Sequence, residues 1–573
     1  MRNNPISTLA FRIRYALGRF PGTSWLIGGA EAESSHTLRQ GMLASVLIMV
    51  GSWGVGWLPM TPGSLLAANP LLLPLRTTTS GAVVCAVLLI LGALLLLRSW
   101  LRLSQRVGRW DEAATGVMTR ALLMWGAPLL ATVPIFSRDV FSYLAQGRLL
   151  HAGLNPYESG VSQLPGWFME GADGLWAESP SPYGPLFLVI AQLFWFISGG
   201  VPEVAILLFR MVSVVGIALI AYAVPRLARA FGSQPAWALW VCLLNPLSLL
   251  VFLPAAHNDS LMIGLMMTGC WLALCKRRLF AVLALVAAIA VKPTAMVVLP
   301  FAVLLSLDST RSYLLRFREW AFGGVIAIGL LVAGGYALGI GLGWVTASLG
   351  AGGAIPQTAP VGLLGTGIGM LVAPLTGSDV ESVAQIVYAA ARAAAAVLLI
   401  FMLLQPRLGN PVLWSAYGLA AVVLSSSIIQ PWYLLWVLPL FAVVHVYRGP
   451  ILMLVTGIVT AMVLMSTVGQ LSVAQWVDTR VVIGSAVSVA LVYLIYIVFF
   501  DPNTSDLFDV RQRSQRWNTA DGWLRLRRLS TPHTSWTSRA GEPAPPRAAA
   551  PRSISPTPQP GQESDSPPER PTA

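Results

Sequence analysis

Long apolar runs recur along almost the whole chain, and they restrict the fold more than any other feature of the sequence. A helix needs about 17 to 25 mostly apolar residues to cross the roughly 30 Å hydrocarbon core of a bilayer. Hydrophobic residues make up 55% of the 573 residues and charged residues only 11%, whereas soluble domains carry roughly 25% charged residues. The sequence therefore predicts an all-α polytopic membrane protein and excludes a water-soluble fold.

Hydrophobicity also places the individual segments. We predict spans near 42–60, 81–99, 118–136, 236–254, 259–275, 321–343, 384–404, 411–429, 431–446, 450–468 and 481–500, and a doubtful one at 359–375. The short stretch 184–199 begins with Pro185 and is expected to be re-entrant. The run 279–306 is too long for one span and is interrupted at Lys292, so two short helices are expected there, with Lys292 at or beneath the outer interface. This gives about 13 to 15 hydrophobic elements.

Basic residues orient the chain. The net charge of +13 comes from arginines in the termini and the short loops, which is the positive-inside pattern of a membrane protein and predicts no nucleic-acid partner. Residues 1–41 lack the compact core and cleavage site of a signal peptide, and we predict that they form a cytoplasmic segment. The membrane domain is expected at 42–500, with a long extracytoplasmic loop at 137–183. Residues 501–573 are predicted to be a cytoplasmic tail that is disordered from about 530, because it has few large apolar residues.

The long loop begins with a cluster of ionisable and aromatic residues. The sequence there reads Ser137-Arg138-Asp139-Val140-Phe141-Ser142-Tyr143. An ionisable group at the membrane is costly unless it faces water or a cavity. A carboxylate at this place, Asp139, can take a proton from an attacking hydroxyl, as a general base does. The alternative is that Arg138 and Asp139 only anchor the membrane interface.

Further polar residues interrupt separate apolar runs on the same predicted face. His257-Asn258-Asp259 lies between two spans, and Lys292 breaks a third run. A single buried histidine is more often structural than catalytic. An acid, a histidine and a lysine that converge from different spans favour a functional site, because charges within membranes are rare without a function.

Two other candidates are less specific. Gln430-Pro431-Trp432-Tyr433 also falls on the outer face, where an aromatic ring could stack on a sugar or simply belong to an interfacial aromatic belt. Arg210 is a candidate cation whose depth in the membrane the sequence does not give.

The sequence lacks a phosphate-binding loop, a glycine-rich dinucleotide fingerprint and a soluble region large enough for a nucleotide-binding domain. A nucleotide-sugar donor is therefore disfavoured. A sugar carried on a polyprenyl phosphate would arrive within the bilayer, and it would need only a membrane groove and cations for its phosphate. Lys292, His257 and Arg210 are the candidate cations. Asp139, His257 and Asp259 are too few and too scattered to predict a metal site, so the sequence predicts no metal ligands and leaves metal dependence open.

Several of these motifs occur together in one known family. They are Ser137 to Tyr143, Gly153-Leu154-Asn155-Pro156-Tyr157, Ser181-Pro182-Tyr183-Gly184-Pro185, His257-Asn258-Asp259 and Val291-Lys292-Pro293-Thr294. As an ordered set over approximately residues 40 to 500, they resemble the actinobacterial polyprenyl-phosphomannose-dependent α-(1→6)-mannosyltransferases of the GT-C glycosyltransferase superfamily.

This resemblance implies a GT-C-like helical bundle in a bacterial plasma membrane, with its active site on the extracytoplasmic side. It implies a polyprenyl phosphomannose donor and a lipoglycan acceptor, in the synthesis of lipomannan or lipoarabinomannan. It also implies that Asp139 is the catalytic base, because family members carry an acid in the first long extracytoplasmic loop. Asp139 lacks the adjacent second acid that GT-C enzymes often have. Asp259 is the first candidate for a second acid and Glu158 the weaker one.

Two other functions remain possible from the sequence. In a transporter or flippase of a lipid-linked sugar, the same charged residues would line a pathway. In a scaffold of a cell-envelope complex, the tail would be an interaction arm.

Overall fold

The computed structural model describes residues 34–106, 112–308, 312–350, 359–405, 409–445, 449–471, 488–489 and 491–501. Its α-helices are α1 Ser34–Val55, α2 Leu73–Thr77, α3 Thr79–Arg106, α4 Glu112–Leu129, α5 Asp139–His151, α6 Pro185–Ser198, α7 Pro202–Ala230, α8 Pro235–Cys242, α9 Pro246–Phe252, α10 Asp259–Leu274, α11 Arg278–Val291, α12 Leu299–Ala302, α13 Tyr313–Ala337, α14 Gly343–Gly350, α15 Pro360–Thr376, α16 Val380–Leu403, α17 Pro411–Leu424, α18 Tyr433–Ala442 and α19 Gly449–Leu471. Short 3₁₀ turns at Val161–Gln163, Gly174–Trp176, Pro293–Val297 and Val303–Ser306 and a π-helical turn at Tyr496–Phe500 complete the regular structure.

The all-α polytopic architecture is confirmed. Within the described ranges, six helices are long and apolar enough to cross a membrane. One bent helix pair and eight shorter apolar helices accompany them, in keeping with the predicted number of hydrophobic elements. Residues 1–33 of the predicted cytoplasmic segment 1–41 and residues 502–573 of the predicted tail 501–573 lie outside the described residues, as do residues 481–487 and 490 of the span expected at 481–500.

Three segments differ from the sequence-based expectations. The first helix begins at Ser34, within the predicted cytoplasmic segment. The loop predicted at 137–183 contains the buried helix α5, which carries Asp139 in its first turn and Arg148 in its last. The helix dipole stabilises an acidic residue at the first turn and a basic residue at the last. The span predicted at 236–254 is two helices, α8 and α9, that meet at 57°. Asn245 caps α9, because its side chain accepts a hydrogen bond from the Ser248 N–H at 2.9 Å.

The predicted break at Lys292 is confirmed. Helix α11 ends at Val291, Lys292 is extended (φ −147°, ψ 117°), and a 3₁₀ turn follows from Pro293. Proline has no backbone N–H and clashes with the preceding turn, so the helix cannot continue through it. The break leaves the Lys292 side chain at the end of a helix, turned toward its neighbours.

Glycines allow α7 and α10 to approach closely. A Cβ atom on Gly216 would lie 2.3 Å from the carbonyl carbon of Ser260, and one on Gly264 would lie 2.6 Å from the Gly216 carbonyl oxygen. Small residues at such crossings are typical of helix packing in membranes. Helix α10 also packs on α11, and α5 packs on α6. This packing brings the first residues of α5 and α10 and the last residues of α11 together.

Candidate active site

The predicted convergence of the polar motifs is confirmed by their contacts. Asp139 is the first residue of α5 and Asp259 the first residue of α10. The His257 Nδ1 atom lies 3.8 Å from Asp139 Oδ2 and 3.1 Å from Asp259 Oδ2. The Lys292 Nζ atom lies 2.7 Å from Asp259 Oδ1. Four side chains from three separate helical regions thus form one charged cluster.

Asp139 is the accessible carboxylate of this cluster. Its side chain is 17% exposed, whereas those of His257 and Asp259 are fully buried. Its Oδ2 atom accepts a hydrogen bond from the Tyr183 hydroxyl at 3.3 Å. Burial, together with the neighbouring Asp139 carboxylate, raises the pKa of Tyr183 well above its ordinary value, so this hydroxyl stays protonated and donates. Asp139 can therefore contact a molecule from outside while the protein fixes one of its oxygens.

Asp259 is the buried centre of the cluster. Its Oδ1 atom accepts hydrogen bonds from Lys292 Nζ at 2.7 Å and from the Trp436 indole N–H at 2.5 Å, and Oδ2 faces His257. A buried charge is tolerated only when it is paired and hydrogen-bonded. These contacts give Asp259 a structural position and leave it no exposed oxygen with which to act as a second base.

Lys292 lies between the buried centre and the exposed surface. Its side chain is 10% exposed, and its ammonium group lies 5.7 Å from the centre of the Tyr183 ring and 5.0 Å from that of the Trp436 ring. The aromatic faces and Asp259 together hold the cation. An ammonium has three N–H donors, so Lys292 can bind Asp259 and still offer a proton to an anion at the site.

His257 and Asn258 carry buried polar atoms that lack a protein partner. Among the described residues, neither His257 Nε2 nor Asn258 Nδ2 has a hydrogen-bond partner. The His257 ring packs on Trp432 with ring centres 4.4 Å apart, and the Tyr143 hydroxyl lies 3.5 Å from Asn258 Oδ1. His257 is fully buried and lies between two carboxylates. This position does not support a direct contact with a donor phosphate, and that assignment stays a prediction.

The remaining predicted residues divide between the site and its surroundings. Arg138 donates to the carbonyls of Gly171 at 2.9 Å and Ala172 at 3.0 Å, which ties the long loop to α5. Glu158 is exposed and accepts from the Asn155 side chain at 2.8 Å, away from the cluster's contacts. Both therefore have structural contacts in the loop, and Glu158 gains no support as a second acid.

Arg210 is held by protein oxygens. It is 5% exposed, and its guanidinium makes four hydrogen bonds to the backbone carbonyls of Leu130, Leu253 and Pro254 and to the Thr132 hydroxyl. These bonds do not support the expectation that Arg210 binds a donor phosphate, and that assignment stays a prediction.

The segment before α18 contributes aromatic residues. Trp432 is half-buried against His257, and Tyr433 stacks on Trp436 with ring centres 4.1 Å apart. Gln430 is half-buried, and its carbonyl accepts from the Tyr433 N–H at 3.0 Å. Sequence reasoning missed the roles of Tyr183 and Trp436. The only signal for them was their place beside proline-containing motifs.

Within the described residues, no group of three or more His, Cys, Asp or Glu side chains is arranged to hold a metal ion.

Comparison with known proteins identifies the family. Residues 38–308 match the family model described as "Alpha-(1->6)-mannopyranosyltransferase, N-terminal domain", and residues 358–498 match the "MptB C-terminal domain". These two ranges contain the whole charged cluster and the aromatic residues that contact it, Tyr183, Trp432 and Trp436. No solved structure matches the chain.

Several curated proteins are similar over long stretches. An α-(1→6)-mannopyranosyltransferase A of Mycobacterium tuberculosis is 37% identical over 54% of this chain, and the match spans 61% of that relative. A second α-(1→6)-mannopyranosyltransferase of M. tuberculosis is 30% identical over 70% of this chain and 77% of its own length. An α-(1→6)-mannopyranosyltransferase B of Corynebacterium glutamicum is 27% identical over 69% of this chain and 71% of its own length. The chain therefore belongs to the α-(1→6)-mannopyranosyltransferase family.

Proposed function

We propose that this protein transfers mannose from polyprenyl phosphomannose to a mannan acceptor and forms an α-(1→6) linkage with inversion at the anomeric carbon. The acceptor would be a lipoglycan of the lipomannan or lipoarabinomannan type. The observation that carries the proposal is the partly exposed Asp139 carboxylate, which is fixed by Tyr183 and lies beside a buried lysine and histidine. The names of the relatives support the mannosyl transfer.

The proposed reaction is a single displacement. Asp139 takes the proton from the 6-hydroxyl of the acceptor mannose as that oxygen attacks the anomeric carbon of the donor. The bond between the anomeric carbon and the phosphate oxygen breaks, and its electron pair leaves with the polyprenyl phosphate. Attack from the face opposite the phosphate converts a β-linked donor into an α-linked product.

Lys292 is the cation that we assign to the leaving phosphate. Its side chain is 10% exposed, and its ammonium is already oriented by Asp259 and two aromatic rings. A donor group held in place before the reaction stabilises developing negative charge without reorganisation, and this is often the largest contribution to catalysis. Because His257 is buried and its Nδ1 atom lies 3.1 Å from Asp259 Oδ2, we assign it a positioning role within the cluster and no contact with the phosphate.

The same proposal includes the place of the reaction. The long apolar helices hold the protein in a bilayer, and a donor with a polyprenyl chain reaches the cluster from within that bilayer. We propose that the membrane is the bacterial plasma membrane, that both chain termini are cytoplasmic and that the cluster faces the extracytoplasmic side.

The test uses purified protein in liposomes that contain radiolabelled polyprenyl phosphomannose and a short α-(1→6)-mannoside acceptor. We expect labelled product whose new linkage is α-(1→6), with matching release of polyprenyl phosphate. A parallel sample with GDP-mannose should give no product.

The alternative is a transporter or flippase of the lipid-linked sugar. That function predicts movement of intact donor between leaflets with no product. Donor that stays chemically intact while it changes leaflet would refute the transferase proposal.

A further inference from the structure

A buried arginine connects the two segments that carry the charged cluster. Arg210 lies on α7, and its guanidinium donates to the Leu130 carbonyl at 2.9 Å and the Thr132 hydroxyl at 3.1 Å. It also donates to the carbonyls of Leu253 and Pro254, each at 3.1 Å. The first two acceptors lie in the chain that leads into α5, and the other two in the chain that leads into α10. Arg210 therefore connects the segment that precedes Asp139 with the segment that precedes the His257-Asn258-Asp259 turn.

Both bridged segments contain strained backbone immediately before the charged residues. Phe136 has a φ of 70° and Ala256 a φ of 53°, in the left-handed region that residues other than glycine rarely adopt. Phe136 precedes Asp139 by three residues, and Ala256 directly precedes His257. Strain of this kind persists only where surrounding structure enforces it, and it concentrates at functional sites. The Arg210 hydrogen bonds supply part of that enforcement on both sides.

Asp139 and His257, which follow the two bridged segments, are not in direct hydrogen-bond contact with each other. The Asp139 carboxylate and the His257 ring, which face each other across the cluster, are 3.8 Å apart, which is beyond normal hydrogen-bond distance. The spacing between the two segments must therefore be fixed elsewhere. Arg210 can do this because a guanidinium is planar, has five N–H donors in a fixed geometry and remains charged when buried.

We propose that Arg210 is a positioning residue that sets the distance and orientation of the Asp139 carboxylate relative to His257 and Lys292. This rests on the proposed function, in which Asp139 is the base. Arg210 does not touch substrate in this proposal. Its loss misplaces the base, and a displacement of about 1 Å at a reacting group can lower the rate by about 10²-fold.

The substitution Arg210→Lys separates this role from phosphate binding. Lysine keeps the positive charge and can bind a phosphate as a point charge. Its single nitrogen cannot hold four oxygens on two segments in one plane. Positioning therefore predicts that Arg210→Lys lowers kcat by about 10²-fold with little change in either KM. Phosphate binding predicts that kcat is largely kept and that the KM for the donor rises.

The chain offers a matched control. Arg316 on α13 is fully buried and also donates to two backbone carbonyls, that of Leu403 at 3.1 Å and that of Gln405 at 2.7 Å. These two acceptors lie at the end of α16 and just after it, and not in a segment that leads into α5 or α10. Arg316→Lys should keep a near-normal kcat. Thr132→Val, which removes one of the four Arg210 hydrogen bonds and keeps the side-chain volume, should give a kcat between those of wild type and Arg210→Lys.

A second measurement is independent of activity. Hydrogen–deuterium exchange on the detergent-solubilised full chain would follow peptides that cover 130–139 and 250–258. Reporter amides there include Val133, which donates to the Ser52 hydroxyl at 3.0 Å, and His257, which donates to the Val251 carbonyl at 3.2 Å. Arg210→Lys should speed exchange in both peptides, and Arg316→Lys in neither.

The two readouts distinguish the possible failures. Unchanged exchange in either peptide, or an equal fall in kcat for Arg210→Lys and Arg316→Lys, would overturn the positioning role. A rise in donor KM with normal kcat would assign Arg210 to the phosphate instead. If wild type transfers no mannose, the proposed function fails, and the exchange result alone decides whether Arg210 couples the two segments.

Discussion

The contributions of the buried pair Asp259 and Lys292 to the free energy of unfolding should be strongly coupled. Their charged atoms are 2.7 Å apart, and Asp259 is fully buried. At an effective dielectric constant of about 20, charges at this distance attract by about 6 kcal/mol, before any cost of desolvation. Removal of one partner leaves the other buried and uncompensated, which typically costs about 3 to 5 kcal/mol. We therefore expect Asp259→Asn and Lys292→Met each to lower the free energy of unfolding by that amount.

The double variant should lose much less than the sum of the single losses, because neither charge is then left alone. We expect a coupling free energy of about 2 to 3 kcal/mol. The assay is reversible unfolding in mixed micelles with increasing dodecyl sulfate, followed by tryptophan fluorescence. Arg148 and Glu170 form a matched control pair, also at 2.7 Å but with side chains 20% and 17% exposed, and should couple by about 0.2 to 1 kcal/mol. Additive losses for Asp259 and Lys292 would refute the electrostatic reasoning.

Four further predictions concern the residues around Asp139. Tyr183→Phe removes a hydrogen bond to a carboxylate and should lower kcat about tenfold, at the low end for charged hydrogen bonds because the contact is long. Since the Tyr183 pKa is raised, steady-state rates for wild type should show no loss from its ionisation up to about pH 10. Trp432→Ala should raise the acceptor KM about three- to tenfold if its half-exposed ring stacks on the sugar, and an unchanged KM in initial-rate assays would exclude that contact. Gln470 accepts from the Phe136 N–H at 2.8 Å and donates to the Val55 carbonyl. Gln470→Leu should therefore lower kcat and leave the KM values unchanged, and a normal kcat would show that this bond is dispensable.

Much of the helical architecture follows from hydrophobicity alone. The segment ends near Lys292 could be predicted because proline chemistry is local to the sequence. The break between α8 and α9 could not, since Asn245-Pro246 lies within a continuous apolar run and only the cap at Asn245 marks it. Helix α5 was also missed. Its buried residues include polar ones such as Ser142 and Gln146, and it packs on the neighbouring helices α6 and α7.

Site residues could be predicted where a charged or polar side chain interrupts a long apolar run. Asp139, His257 and Lys292 interrupt apolar sequence, and the alternation of spans places them on one face. The depth and partners of a side chain are not local properties. The sequence therefore could not distinguish Arg210, which bridges backbone carbonyls, from a cation that faces a phosphate. It also marked Tyr183 only as a member of the Ser181–Pro185 motif, and it gave no reason to separate Trp436 from the many other aromatic residues.

The most direct test of the account compares Asp139→Asn with Glu158→Gln in the mannose transfer assay. Both acids lie in the same loop region, but Asp139 belongs to the charged cluster and Glu158 is exposed outside it. A general base contributes about 10² to 10⁴ to the rate, so Asp139→Asn should lose transfer to that extent while the protein stays folded in the membrane. Glu158→Gln should transfer at the wild-type rate. Near-normal transfer by Asp139→Asn would contradict its role as the base.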